Sequence, residues 1–176
     1  MKNLPKIIVV CGPTATGKSD KAVSLALENN GEIISTDSRQ IYKGLDIGSG
    51  KITKKEMRGV PHYMLDVASP TRTYSVAQFQ KKATAHIVDI LKRGKTPIVC
   101  GGTGFYIDAL LYGLDFPKVK ADQQLRKELN KKTAEELFII LEQKDPRRAK
   151  EIDAKNKVRL IRALEIIDSL GVVPKV

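Results

Sequence analysis

Long apolar runs are missing from this chain: nothing in its 176 residues approaches the ~20 consecutive apolar residues that cross a bilayer. No membrane segment is expected. The opening Met-Lys-Asn-Leu-Pro also lacks the apolar core of a signal peptide. Cysteine is scarce as well. Cys11 and Cys100, each inside an apolar run, are read as small buried hydrophobes and not as a disulfide or metal pair, which fits a reduced, cytoplasmic protein. Tryptophan is absent and aromatics make up only 5% of residues, too few for the stacking platform of a general single-strand nucleic-acid binder. Acidic residues are outnumbered, with 20 Asp and Glu against 31 Lys and Arg, for a formal charge of +11. That surplus suits a polyanionic partner, or a Lys-rich surface that only aids solubility.

The richest segment is Gly12-Pro13-Thr14-Ala15-Thr16-Gly17-Lys18-Ser19, which matches G-x-x-x-x-G-K-[ST]. Glycines in this pattern let backbone N–H groups curl around phosphate oxygens, and the helix N-terminus behind them adds its dipole. Lys18 would neutralise terminal phosphates, and Ser19 would offer its hydroxyl to a magnesium ion, Mg2+, bridging them. The context agrees. Lys6 to Cys11 is a β-branched run expected to form a strand covered on both faces. Asp20 to Asn30 carries an apolar helical face, with Gly31 as its stop.

A second strand, Glu32 to Thr36, delivers Asp37, Ser38, Arg39 and Gln40 to its carboxyl end, the edge where parallel sheets bind ligands. Asp37 is the only aspartate expected at a strand end. It could accept a proton, hold a metal, or merely close an Asx turn. Arg39 and Gln40 have side chains suited to a base or a phosphate. No Walker-B aspartate ends the strand at Thr96 to Cys100, which disfavours an ordinary ATPase. That strand runs instead into Gly101-Gly102-Thr103-Gly104 and a helix from Phe105 to Tyr112. Thr103 could present a hydroxyl and an N–H to an anion, or the small residues could simply serve a tight connection.

Elsewhere Val60 to Val67 is expected to hold a short strand, and Ser75 to Gln78 reads as a capping box opening a helix that ends near Arg93. After Gly113 charged helices are expected at about 122–131, 134–143 and 156–170, with a capping box at Thr133 and Glu136. The expected organisation is a core over 1–115 and a helical part over 116–176. In the last helix Lys155, Arg159 and Arg162 fall on one stripe, with Val158, Ile161 and Leu164 turned away; such a stripe suits an RNA backbone or plain solvent.

Taken together, the P-loop, the block Asp37-Ser38-Arg39-Gln40-Ile41-Tyr42-Lys43-Gly44-Leu45-Asp46-Ile47-Gly48, Gly101 to Tyr106 and the segment Asn156 to Ile166 resemble the tRNA dimethylallyltransferase family along the whole chain. The resemblance implies an α/β fold: a P-loop NTPase-like parallel sheet flanked by helices, with a helical insertion begun in the C-terminal third. It also implies transfer of a dimethylallyl group from dimethylallyl diphosphate to the exocyclic amine of the adenosine 3′ of the anticodon, with diphosphate released. In that pattern Gly12 to Ser19 hold the diphosphate, with Lys18 and Mg2+ stabilising its charge, and Asp37 takes the amine's proton. Ser38, Arg39 and Gln40 contact RNA beside it, and Thr103 lies at the reactive end of the channel. Arg126 stands near the RNA, while Arg159 and Arg162 grip the anticodon stem-loop. The expected partners are tRNA and the prenyl diphosphate, and the expected state is a monomer.

Family members run well beyond Val176, so the chain is expected to be a fragment, as the three firm strands also imply against the five or six usual in such sheets. Two other readings stay open on the residues: a small-molecule or nucleoside kinase using ATP, and a non-catalytic RNA-binding module.

Overall fold

The computed structural model describes residues 6–174; the five opening residues, read above as no signal stretch, lie outside them. The chain divides into two compact units, Met1–Leu114 and Asp115–Val176.

The first unit is built on four parallel strands in the order β1-β4-β2-β3. These are β1 (Ile8–Cys11), β2 (Gly31–Ser35), β3 (His62–Tyr63) and β4 (Thr96–Gly101). Alternation along β2 and β4 sends side chains to two cores. Ile33, Ile98 and Cys100 pack with Ala22, Val23 and Ala26 of α1 (Lys18–Glu28). Ile34 and Val99 pack on the other face with Phe79, Ala83, Ile87 and Ile90 of α2 (Val76–Lys92) and with Tyr106 and Ile107 of α3 (Gly104–Tyr112). Ser75 opens α2 with both arms of the expected capping box in place.

Three expectations are corrected here. β1 is not covered on both sides: it pairs only with β4 among the described residues, and Val9 is 37% exposed. An apolar run of four cannot distinguish a central strand from an edge. Cys11, at the end of that edge, is exposed, whereas Cys100 is buried, and both are free thiols. Burial pushes the Cys100 thiol up to about 11. Finally, Gly31 is not the helix stop. Asn29 caps α1 and Asn30 takes the left-handed turn at φ 47°, while Gly31 begins β2. Its glycine is required by packing, since a Cβ there would stand 2.9 Å from the Thr96 carbonyl oxygen.

The second unit is helical: α4 (Gln123–Leu129), α5 (Ala134–Lys144), α6 (Pro146–Glu151) and α7 (Lys157–Leu170) enclose Leu137, Leu141, Leu160 and Leu164. The Thr133–Glu136 capping box is present. α6 was not foreseen, although Asp145 as N-cap and Pro146 at the first helical position are its ordinary start signals.

Candidate active site

The carboxyl ends of β1, β2 and β4 meet around a cavity of about 650 Å³ in the first unit, lined by residues 14–20 of the P-loop, by Asp37 to Gln40, by Gly101 to Thr103 and by Gly48 to Gly50. One space therefore brings together the three motifs the sequence set apart.

The P-loop takes its shape from backbone sterics: Gly17 sits at φ 74° and Ala15 at φ 61°, left-handed positions that turn successive N–H groups inward. Thr16 Oγ1 donates to the Pro13 carbonyl at 2.9 Å, and the Lys18 ammonium donates to the same oxygen. Lys18 thus lies along the loop, where phosphate oxygens would compete for it. Ser19, the first turn of α1, faces the cavity without a side-chain partner among the described residues.

At the cavity, the end of β4 lies so close to the residue after β2 that a Cβ on Gly101 would stand 2.4 Å from Thr36 Oγ1 and 2.6 Å from its carbonyl carbon. Only glycine permits this. Backbone bonds from Thr36 N to Cys100 O (2.8 Å) and from Thr103 N to Thr36 O (3.1 Å) stitch the two strand ends together. Ser38 N then donates to Thr103 Oγ1 at 3.0 Å, and the Thr103 hydroxyl lies 3.2 Å from Ser38 Oγ. Thr103 is the N-cap of α3, but its hydroxyl serves this cross-link and makes no cap bond.

Asp37 forms the Asx turn, one of the readings left open above. Its Oδ1 closes a turn, accepting from Arg39 N at 2.8 Å and Gln40 N at 3.2 Å. Asp37 lines the cavity, and its Oδ2 takes no hydrogen bond among the described residues. The turn therefore fixes the carboxylate through one oxygen only. Arg39 is exposed beside it. Gln40 is different: its side-chain Nε2 donates to Ser49 O at 3.3 Å and Gly50 O at 3.2 Å, so its amide faces the protein's own backbone.

The cavity has walls that the sequence did not announce. Ile33, Ile52, Leu65 and Cys100 make part of it apolar, and His62 borders it with Nδ1 held 2.8 Å from the Val60 carbonyl. Burial pushes the His62 pKa down, with Lys54 adding to the effect, so the ring is neutral near pH 7. His62 was visible only as one of two histidines, with no spacing to mark it.

Arg126, Arg159 and Arg162 belong to the second unit. Arg126 holds Glu165 through two bonds of 2.6 and 2.7 Å, and Arg162 adds a third of 3.1 Å while also donating to Val119 O. Burial of Glu165, 2% exposed, opposes its charge, but these arginines keep its pKa below the usual value. Arg126 and Arg162 are thus structural partners of a buried carboxylate; Arg159 is the exposed one. Lys155 sits in the turn before α7, and Val158 is 78% exposed. The expected stripe fails because residues four apart share a helix face, which puts Val158 beside Arg162.

A magnesium ion would find no dedicated cage: no group of three or more His, Cys, Asp or Glu able to hold a metal exists among the described residues. The Ser19 hydroxyl with phosphate oxygens and water nonetheless fits the way this ion is ordinarily held beside nucleotides and diphosphates. No helix among the described residues is long and apolar enough to cross a membrane.

Comparison with known proteins agrees with this geometry. The chain is 45% identical over 174 residues to the tRNA dimethylallyltransferase of Bacillus cytotoxicus, covering 97% of this chain and 55% of that protein. Against the tRNA dimethylallyltransferase of Acaryochloris marina it is 44% identical, over 96% and 56% of the two chains. The chain thus spans about half the length of the curated relatives it matches. Among solved structures, the tRNA isopentenylpyrophosphate transferase of Bacillus halodurans superposes with a TM-score of 0.65 at 43% identity, over 96% of this chain and 57% of that one. A eukaryotic dimethylallyltransferase acting on tRNA reaches 0.78 at 31% identity, over 93% and 42%. With the IPP transferase profile matching residues 40–175 as well, the chain belongs to the IPP transferase family.

Proposed function

We propose that this chain carries the diphosphate-binding and proton-accepting half of a tRNA prenyltransferase, which moves a dimethylallyl group from dimethylallyl diphosphate to the exocyclic amine of the adenosine 3′ of the anticodon. The observation that carries the proposal is the single cavity shared by the P-loop, Asp37 and Thr103. Phosphate binding alone would equally suit a kinase. A carboxylate with one oxygen free of hydrogen bonds among the described residues, lining the same partly apolar cavity as the loop, suits an allylic donor and a weakly basic amine.

In this reading the P-loop amides and Lys18 hold the diphosphate. Ser19 would hold Mg2+, which when bound supplies further positive charge to the leaving group. The amine nitrogen attacks the allylic carbon, the carbon–oxygen bond breaks, and its electron pair leaves with diphosphate. The N–H proton passes to Asp37 Oδ2. An adenine amine is a poor nucleophile, so holding it in line and away from water supplies much of the rate. The base reaches the cavity by flipping out, which costs least from a single-stranded anticodon loop. The exposed Arg39 and the half-buried Ser38 would meet the RNA beside it, and Arg159 of the helical unit would bind the stem-loop. A reaction on tRNA is in keeping with a cytoplasmic protein.

The test is transfer of radiolabelled dimethylallyl diphosphate to an anticodon stem-loop carrying adenosine at that position, with Lys18→Ala as control. Label on the RNA that vanishes in the control supports the proposal. Binding of both ligands without transfer would mean that these residues do not suffice, and ATP-dependent labelling of a small metabolite would favour a kinase.

A further inference from the structure

We propose that Gln40 is a positioning residue and not an RNA contact: its side chain fixes the Ser49–Gly50 edge of the cavity against the turn that presents Asp37. The inference rests on the reading of Asp37 as the proton acceptor.

A primary amide has two N–H donors and one acceptor oxygen. In Gln40 the donor end faces Ser49 O and Gly50 O at 3.3 and 3.2 Å, and Oε1 lies 3.4 Å from Ser35 Oγ at the end of β2. Its backbone N–H meanwhile donates to Asp37 Oδ1. One residue therefore joins the strand end, the carboxylate and the opposite wall. Little donor capacity remains for a base or a phosphate.

The wall it holds is a loop whose internal bonds, Gly50 N to Ile47 O (3.1 Å) and Lys51 N to Asp46 O (3.0 Å), shape its turn but do not tie it to the Asp37 segment. Residues 43–51 contain no helix or strand, and Leu45 and Ile47 are 45% and 99% exposed, so no apolar packing fixes them. The loop is instead bolted at its two roots. Gln40 is one bolt. Lys51 is the other, with its ammonium 2.9 Å from Tyr42 O, 2.7 Å from Asp46 and 2.5 Å from Asp66. Burial disfavours the Lys51 charge, yet the two carboxylates raise its pKa above the usual value, so this second bolt is a locked cation. Loss of the Gln40 bonds would let Ser49 and Gly50 drift from the Asp37 turn and widen the space in which the amine must be aligned. A misplacement of about 1 Å costs on the order of 10²-fold in rate.

The discriminating variants are Gln40→Met, of similar length without donors, and Gln40→Lys, which restores them. Each is compared with the unaltered chain in three measurements: kcat and KM for transfer, stem-loop affinity by fluorescence anisotropy, and hydrogen exchange of residues 43–52. For Gln40→Met the expected result is a kcat lower by about 10- to 100-fold, stem-loop affinity within about twofold, and exchange of 43–52 faster by about tenfold. Gln40→Lys should recover most of both losses. Stem-loop affinity weakened about tenfold with kcat and exchange unchanged would overturn the proposal and make Gln40 an RNA contact. If the unaltered chain transfers no label while binding both ligands, these residues do not suffice for the reaction; if it binds no dimethylallyl diphosphate, the prenyl-transfer reading is what fails. The exchange comparison then decides alone: faster exchange upholds the bolt, and unchanged exchange refutes it.

Discussion

β2 carries a carboxylate at each end, and the two live opposite lives. Glu32, at the start of the strand, is 1% exposed and saturated: Arg93 grips both oxygens at 2.6 Å, Lys95 approaches to 2.6 Å and the Tyr63 hydroxyl to 2.8 Å. Asp37, two residues past the other end, lines a cavity with one oxygen in a turn and the other without a hydrogen bond among the described residues. A structural carboxylate is recognised by satisfied lone pairs, and a candidate reactive one by a lone pair kept idle at a fixed place. Along a single strand, the amino end carries a buried ion-pair cluster and the carboxyl end opens on the cavity.

The comparison is broken most forcefully at Glu32. Glu32→Gln leaves Arg93 and Lys95 facing a neutral amide; because both are about a third exposed, the expected loss is about 2–4 kcal/mol, below that of a fully buried pair, read as a lower denaturation midpoint. Transfer by the remaining folded protein should be unchanged. The acid limb sharpens the same point. Arg93 first, then Lys95 and Tyr63, outweigh burial and take the Glu32 pKa from 4.5 to about 2. A depressed carboxylate stabilises the fold above its unfolded pKa, and the contribution is lost as pH falls through the folded value. Stability should therefore decline between about pH 5 and 2, by on the order of 2–3 kcal/mol, and Glu32→Gln should flatten that decline.

Smaller effects divide the arginines of the helical unit in the same way. Arg126→Ala strips the buried Glu165 of its two shortest bonds and should cost about 2 kcal/mol of stability, measured by chemical denaturation. Arg159→Ala, at an exposed site, should cost less than about 0.5 kcal/mol and act on RNA affinity alone. Between them stands Thr103→Val, which removes the link to Ser38 and should cost about 1 kcal/mol while slowing transfer.

The phosphate cradle was legible in the sequence because its signal is local: eight contiguous residues, a strand before and a helix after. Asp37 was legible for the same reason, lying where a short apolar run stops. What the chain concealed depends on partners distant in sequence. The ion pairs of Arg126 and Arg162 with Glu165, 39 residues from Arg126, were invisible until the chain folded. Gln40 looked available because nothing in its neighbours reveals that Ser49 and Gly50 return to meet it. The edge position of β1, and with it the exposure of Cys11, is set by strand order, which hydrophobic patterning does not encode. The helix α6 is the exception, since its Asp145-Pro146 start was in plain view.

The central claim is that the idle oxygen of Asp37 receives the proton when the prenyl group is transferred. It is tested most directly by single-turnover transfer in Asp37→Ala, with stem-loop and dimethylallyl diphosphate affinities measured on the same samples. The account predicts a rate lower by about 10²- to 10⁴-fold with both affinities largely retained. Undiminished transfer would contradict it and assign the proton to another group.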